Sequence, residues 1–145
     1  MSLKEFLEQR ALDPALGESV HARIERWRTA ALNLIQRLRR VLQPHARLEL
    51  EEWTVVLQEQ AVRYNAAALT IRFQDVQITV EPKGTFLPPG EGNGRVTMEC
   101  GARLVLLDWR GEESWTYWWS LPQHDEPARP LTDTIIEDLV QELLA

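Results

Sequence analysis

The chain predicts an α+β fold: an antiparallel sheet of five or six strands, preceded by helices (one long and amphipathic) and followed by a C-terminal helix. Three observations point there. A long segment with apolar residues at helical spacing stops at Pro44, alternation of apolar and polar residues takes over from Arg47, and helical spacing returns after Pro130. Strands run together and bracketed by helices belong to α+β architecture, whereas a wound parallel sheet would interleave the two. A length of 145 residues fits one domain. Its parts are a helical segment over 1–43, antiparallel strands over 47–121 and a helix over 131–145.

The elements follow in order. Ser2 and Glu5 fit the Ser-x-x-Glu capping box, with Leu3, Phe6 and Leu7 at helical spacing. Asp13-Pro14 reads as a cap and a first helical residue, and Gly17 breaks that segment. From Glu18 to Gln43, Val20, Ile24, Trp27, Ala31, Leu34, Leu38 and Val41 recur in alternating steps of four and three, and Ile35 and Leu42 widen the stripe. Such a stripe packs against a sheet of the same chain or serves as the seam of a helical dimer. The first use is the one expected here.

Leu48 and Leu50 then alternate with Glu49 and Glu51, while Trp53, Val55 and Leu57 continue in the opposite phase. That slip at Glu51-Glu52 reads as a bulge in one strand or a break between two. Leu69, Ile71 and Phe73 share one face, Gln74-Asp75 turn the chain, and Val76, Ile78 and Val80 return. A two-residue loop pairs Phe73 with Val76, Ile71 with Ile78 and Leu69 with Val80. Val96, Met98 and Cys100 alternate up to Gly101; Arg103 to Trp109 is apolar on nearly both faces, as an interior strand is. Arg110-Gly111-Glu112-Glu113 makes a hairpin loop and Ser114 to Leu121 returns. The stretch from Pro122 to Pro130 is a connection, and Thr132 or Asp133 caps a last helix carrying Ile135, Ile136, Leu139, Val140, Leu143 and Leu144.

Composition narrows the classes of function. Apolar residues make up 44% of the chain, too many for intrinsic disorder, and Cys100 is the only cysteine, which excludes a disulfide scaffold. No apolar run reaches the roughly 18–20 residues of a membrane span, and Met1 to Arg10 has no apolar signal region. The expected location is the cytoplasm. The net charge of −6 divides unevenly: residues 1–47 hold nine basic and five acidic side chains, a balance of +4, and residues 48–145 a balance of −10. Arg23, Arg26, Arg37 and Arg40 would suit nucleic acid if the total were basic; with an acidic total, the arginines are expected to meet the body's own carboxylates.

Residues that carry chemistry are few. His21, His45 and His124 are scattered, with no Cys/His spacing of a zinc site, so neither metal nor cofactor is expected. The cluster His124-Asp125-Glu126 sits on a loop, where an imidazole beside carboxylates can act as a general base if burial holds them together. The segment Pro82 to Gly94 holds three prolines and four of the seven glycines. Gly90-x-Gly92-x-Gly94 resembles a phosphate-cradling stretch only superficially, because a strand follows it and not a helix N-terminus. The Glu51-Glu52 and Glu112-Glu113 doublets point to opposite sides of a strand, so neither forms a catalytic pair by itself.

Tryptophan is the strongest compositional signal. Of six in the chain, four lie between Trp109 and Trp119. Alternation puts Trp115, Tyr117 and Trp119 on one face, as core or as the floor of an aromatic groove for a peptide, a sugar or a base, with core expected for Trp115 and Trp119; Trp118, on the other face, is the better binding candidate. The expected function is a non-enzymatic, cytoplasmic protein-interaction module, an acidic accessory, adaptor or chaperone-like protein that docks a protein partner or forms a homodimer. Its surface residues would be Trp118, Trp109, Arg95, Asp108 and His124. The alternative is a small-ligand-binding or catalytic domain with its site between the Pro82–Gly94 loop and the Trp115–Trp119 strand, supplied with polar groups by Arg95, Asp108 and His124.

Overall fold

The computed structural model describes residues 2–5, 19–85, 93–120 and 127–145. Helix α1 runs over Val20–Leu42. Seven strands follow: β1 Glu49–Glu59, β2 Val62–Phe73, β3 Val76–Gly84, β4 Gly94–Cys100, β5 Arg103–Gly111, β6 Ser114–Trp119 and β7 Arg129–Pro130. Helix α2 closes the order at Asp133–Leu144. The strands form one antiparallel sheet in the order β1-β2-β3-β4-β5-β6-β7, a meander with one strand more than the sequence indicated. The extra strand is β7, two residues within the stretch read as a connection.

Both helices begin where their caps say. Ser19 accepts from the Ala22 amide at 3.1 Å and Thr132 from the Ile135 amide at 3.2 Å, each satisfying a donor the first turn leaves over. Ser2 likewise accepts from the Glu5 amide; the Asp13-Pro14 and Gly17 signals lie outside the described residues. The stripe of α1 lies on the sheet, burying Ile24, Trp27, Ala30, Ala31, Leu34, Ile35, Leu38 and Leu42. Helix α2 adds Ile136, Leu139, Val140 and Leu143 to the same side. Facing them from the sheet are Leu69, Ile71, Ile78, Val80, Val96, Met98, Val105, Leu107, Trp109 and Trp115. The core is thus one layer between a sheet and two helices, and among the described residues no helix covers the other face.

The Gln74-Asp75 hairpin has the register expected, with Leu69 opposite Val80, Ile71 opposite Ile78 and Phe73 opposite Val76. Glu51-Glu52 is neither a bulge nor a break. The β1–β2 ladder runs uninterrupted from Glu49↔Arg72 to Glu59↔Val62, with Glu51 opposite Thr70 and Glu52 opposite Leu69. What changes there is the buried face. β2 pairs with β3 only over Leu69–Phe73, so Val62–Ala68 is tied to β1 alone. This free half of the hairpin turns its Val55, Leu57, Val62, Tyr64 and Ala66 face onto the core, and Arg28 of α1 donates to the Asn65 carbonyl at 2.8 Å. Twist along a long two-stranded ribbon accomplishes the change of face without inserting a residue.

Candidate functional site

The helix-free face of the sheet is where the structure assembles the polar and aromatic residues the sequence singled out. β4 and β5 are joined through Gly101, whose φ of +61° lies in the left-handed region that glycine tolerates. The register from that turn sets Arg95 directly opposite Asp108, and β6 sets Thr116 on the other side of Asp108. Asp108 is 1% exposed. Its carboxylate accepts from Arg95 Nε at 2.7 Å and Arg95 Nη2 at 3.2 Å, a two-pronged arrangement, and from Trp118 Nε1 at 3.0 Å. The Arg95 guanidinium also lies 5.5 Å from the centre of the Trp118 ring. A buried carboxylate is tolerable only when paired and hydrogen-bonded in this way.

The same face carries Trp53, whose Nε1 donates to Thr70 Oγ1 at 3.1 Å, and Arg110, whose Nε donates to Thr116 Oγ1 at 3.0 Å. Beneath these long side chains, Ala68, Thr70, Thr97 and Leu106 are all buried although no helix covers them. Trp118 and Arg95 thus form one cluster over Asp108 on β4–β6, while Trp53 covers Thr70 on β1–β2, several strands away along the same face. Both indole N–H groups are already committed within the sheet, so the rings can add apolar surface but few hydrogen bonds to anything that docks there.

Trp109 stands elsewhere. It lies on the helix side with Trp115, and both tilt against the fully buried Trp27, at ring-centre distances of 6.2 Å and 6.0 Å. Three of the five nominated residues therefore share a site, Arg95, Asp108 and Trp118. Trp109 belongs to the core on the opposite face, and His124 lies outside the described residues together with 86–92 of the Pro82–Gly94 segment. Trp115 is buried as expected, and Trp119 is half-buried beneath the Arg103 guanidinium at 5.9 Å.

Further features lie on the helix side, some of them near the alternative site, with Thr85, Asn93 and Trp115 in their linings but without Arg95 or Asp108. Beside Trp109, the tip of the β5–β6 hairpin and α1 enclose a cleft of about 820 Å³, lined in part by Arg23, Arg26, Thr85, Asn93 and Glu112. A second hollow of about 580 Å³, lined in part by Arg37, Arg40 and Trp115, adjoins it and shares Ala30, Asn33, Glu112 and Glu113. Near Thr85 a buried carboxylate, Glu59, accepts from the Thr85 amide and hydroxyl, both at 2.7 Å, and from the Tyr64 hydroxyl. Burial, and then the neighbouring Glu59, push the Tyr64 hydroxyl well above its ordinary pKa, so it stays a protonated donor. No sequence signal marked this cluster, since Gln60 and Ala61 take positive φ without being glycine, asparagine or aspartate.

Of the four arginines singled out, Arg37 meets the acidic body, its Nε pairing with Asp133 at 2.8 Å, and Arg39 Nη1 likewise pairs with Glu52 at 3.0 Å. His45 Nε2 lies 2.9 Å from Glu137. Among the described residues no three His, Cys, Asp or Glu side chains are grouped to hold a metal ion, and no helix is long and apolar enough to cross a membrane.

Fold and site together define an α+β domain with one sheet face covered by helices and the other bearing an aromatic, charge-paired patch. Set against protein-family models, curated proteins and solved structures, the chain finds no match in any of the three.

Proposed function

We propose that the chain is a non-enzymatic, cytoplasmic protein-interaction module that docks a protein partner on the helix-free face of its sheet. The observation carrying this reading is Trp118, a half-buried indole fixed by the buried Asp108 and by Arg95. Tryptophan and arginine dominate the energetics of protein interfaces, and a side chain already held in place loses little entropy on docking. A protein surface also suits the patch better than a hydrogen-bonding small molecule, because the indole N–H groups are spent. Affinity capture from the native host tests the reading: Trp118→Ala should lose the partner at least about tenfold, as truncated interface anchors do. Its stability loss should stay below the roughly 3–5 kcal/mol of a truncated core tryptophan. Retention of the partner by a folded Trp118→Ala protein would sink the proposal.

A second reading has its own observation, the cleft beside Thr85, Asn93 and Trp109. A polar small molecule fits a concave site of that volume, which falls in the usual range for ligand pockets. In this reading the ligand lies on the helix side, away from Arg95 and Asp108, so a bound metabolite would quench fluorescence of Trp109 and leave Trp118→Ala able to bind it.

A further inference from the structure

We propose that the outer edge of β1 pairs antiparallel with the same edge of a second copy of this chain, about a two-fold axis at Val55. The proposal uses a surface apart from the Trp118 patch and does not rest on it.

β1 ends the strand order, so among the described residues its outer edge has no ladder partner over Glu49–Glu59. At the opposite side of the sheet, β7 is two residues long and contains Pro130, which has no amide to donate. Among the described residues the sheet thus has one long edge and one blunted one. Long unguarded edges are hazards that proteins blunt with charge. Glu49, Glu51 and Glu52 guard the first part of β1, but Trp53-Thr54-Val55-Val56-Leu57-Gln58 carries no charge at all. Val56 there is 57% exposed, the one large apolar side chain of the sheet left so open among the described residues.

The hairpin turn fixes which groups face outward. Gln60 and Ala61 form a two-residue loop at φ +47° and +67°, so Glu59 and Val62 exchange both hydrogen bonds. Counting back by twos, Leu57, Val55, Trp53 and Glu51 bond inward to β2. Leu50, Glu52, Thr54, Val56 and Gln58 therefore present their N–H and C=O to the outside. Two such edges mate only when outward residues oppose outward residues, and the register centred on Val55 does this over the whole strand. Thr54 then faces Val56 of the second copy, Glu52 faces Gln58, and Trp53 faces Leu57 as an aromatic–aliphatic pair.

Charge selects a second copy over an unrelated strand. Antiparallel pairing carries the acidic end of each β1 to the other's uncharged end, where the exposed Arg63 stands opposite Gln58 in the β1–β2 ladder. Glu52 of one copy, which also holds its own Arg39 at 3.0 Å, and Arg63 of the other are then two strand spacings apart, roughly 10 Å between backbones, so that Arg63 adds a second cation to that carboxylate. The one facing acid pair is Glu51 with Glu59, and the Glu59 carboxylate is turned inward onto Thr85 and Tyr64. Because both copies use the same edge, the contact closes at two instead of growing into a fibre.

Sedimentation equilibrium of the full chain should give twice the 16.8 kDa mass. Val56→Lys, a change at an exposed position, should raise the dimer dissociation constant at least about tenfold, as edge lysines do. In a Cys100→Ser background, Val55→Cys should form an intermolecular disulfide under mild oxidation, since residues facing each other in a non-hydrogen-bonded pair stand about 4.5 Å apart at Cα. This variant decides the matter if Val56→Lys fails to fold. A single-copy mass throughout the micromolar range, a dimer indifferent to Val56→Lys, or failure of the Val55→Cys variant to cross-link would each overturn the proposal. So would a monomer whose β1 edge takes up only other peptides.

Discussion

Gly94 shows how one missing atom can place a core residue. A Cβ built there would press into two ring carbons of Trp27, nearer than real side chains come. The glycine at the start of β4 is therefore what lets the indole of α1 lie directly on the sheet backbone. Gly94→Ala should destabilise the fold by about 1–3 kcal/mol through overpacking, read as a lower urea midpoint with red-shifted tryptophan emission. In the sequence that glycine looked like part of a loop motif; its partner Trp27 stands 67 positions away, and only the assembled sheet brings them together. Tyr64 makes the pH prediction. Its hydroxyl keeps its proton in the folded state above the pH near 10 at which an unfolded chain releases it. The stabilisation is complete below that pH and is lost as pH rises through and beyond it, because the unfolded state then binds fewer protons. Tyr64→Phe should flatten the fall in urea midpoint above about pH 10. Few groups obscure that signal, since the chain holds only two lysines, one cysteine and one other tyrosine. The sequence nominated Arg95 and Asp108 separately; their pairing came with the structure, where the Gly101-Ala102 turn sets the register that places the two opposite each other.

At the scale of elements, legibility followed alternation. The β2–β3 hairpin was readable because Leu69, Ile71 and Phe73 and their partners alternate cleanly with polar neighbours, so a slip of one residue would bury charge. The first half of β2 was not, because Tyr64-Asn65-Ala66-Ala67-Ala68 mixes small and polar residues with no large apolar rhythm. Those alanines are small where the ribbon changes its buried face, and Ala66 and Ala68 are both covered. The α1 stripe was readable, but its use was ambiguous between a sheet and a second helix. The sheet takes it: Leu34 is 1% exposed within a single chain. Leu34→Asp would strand an unpaired carboxylate in that layer and should cost more than about 4 kcal/mol, enough to abolish the cooperative thermal transition followed by circular dichroism. A protein that still melted cooperatively, with wild-type midpoint, would show that α1 does not carry the core.

For the whole molecule, the uneven charge turns out to be distributed across contacts and not across separate bodies. Arg37 and Arg39 of the basic helix reach Asp133 and Glu52, but these pairs are largely exposed and worth at most about 1 kcal/mol each. What joins the parts is the shared apolar layer, and the charge mainly fixes which surfaces repel. Function was the least legible level, because it resides in faces and edges that exist only after the strands are ordered: Trp118 and Trp109 are neighbours in one hairpin yet lie on opposite sides of the sheet. The strand order has a further consequence for how the chain comes into being. Each strand's ladder partner is the strand made just before it, and the helix they cover is made earlier still. As the polypeptide leaves the ribosome, every hairpin finds its place already prepared, and short-range pairing of this kind is quick. Among the described elements, α2 alone must travel back, to pack its apolar side against α1 and β3. Until that helix is synthesised, one flank of the nascent core stays wet, and the closing of the apolar layer waits on its arrival.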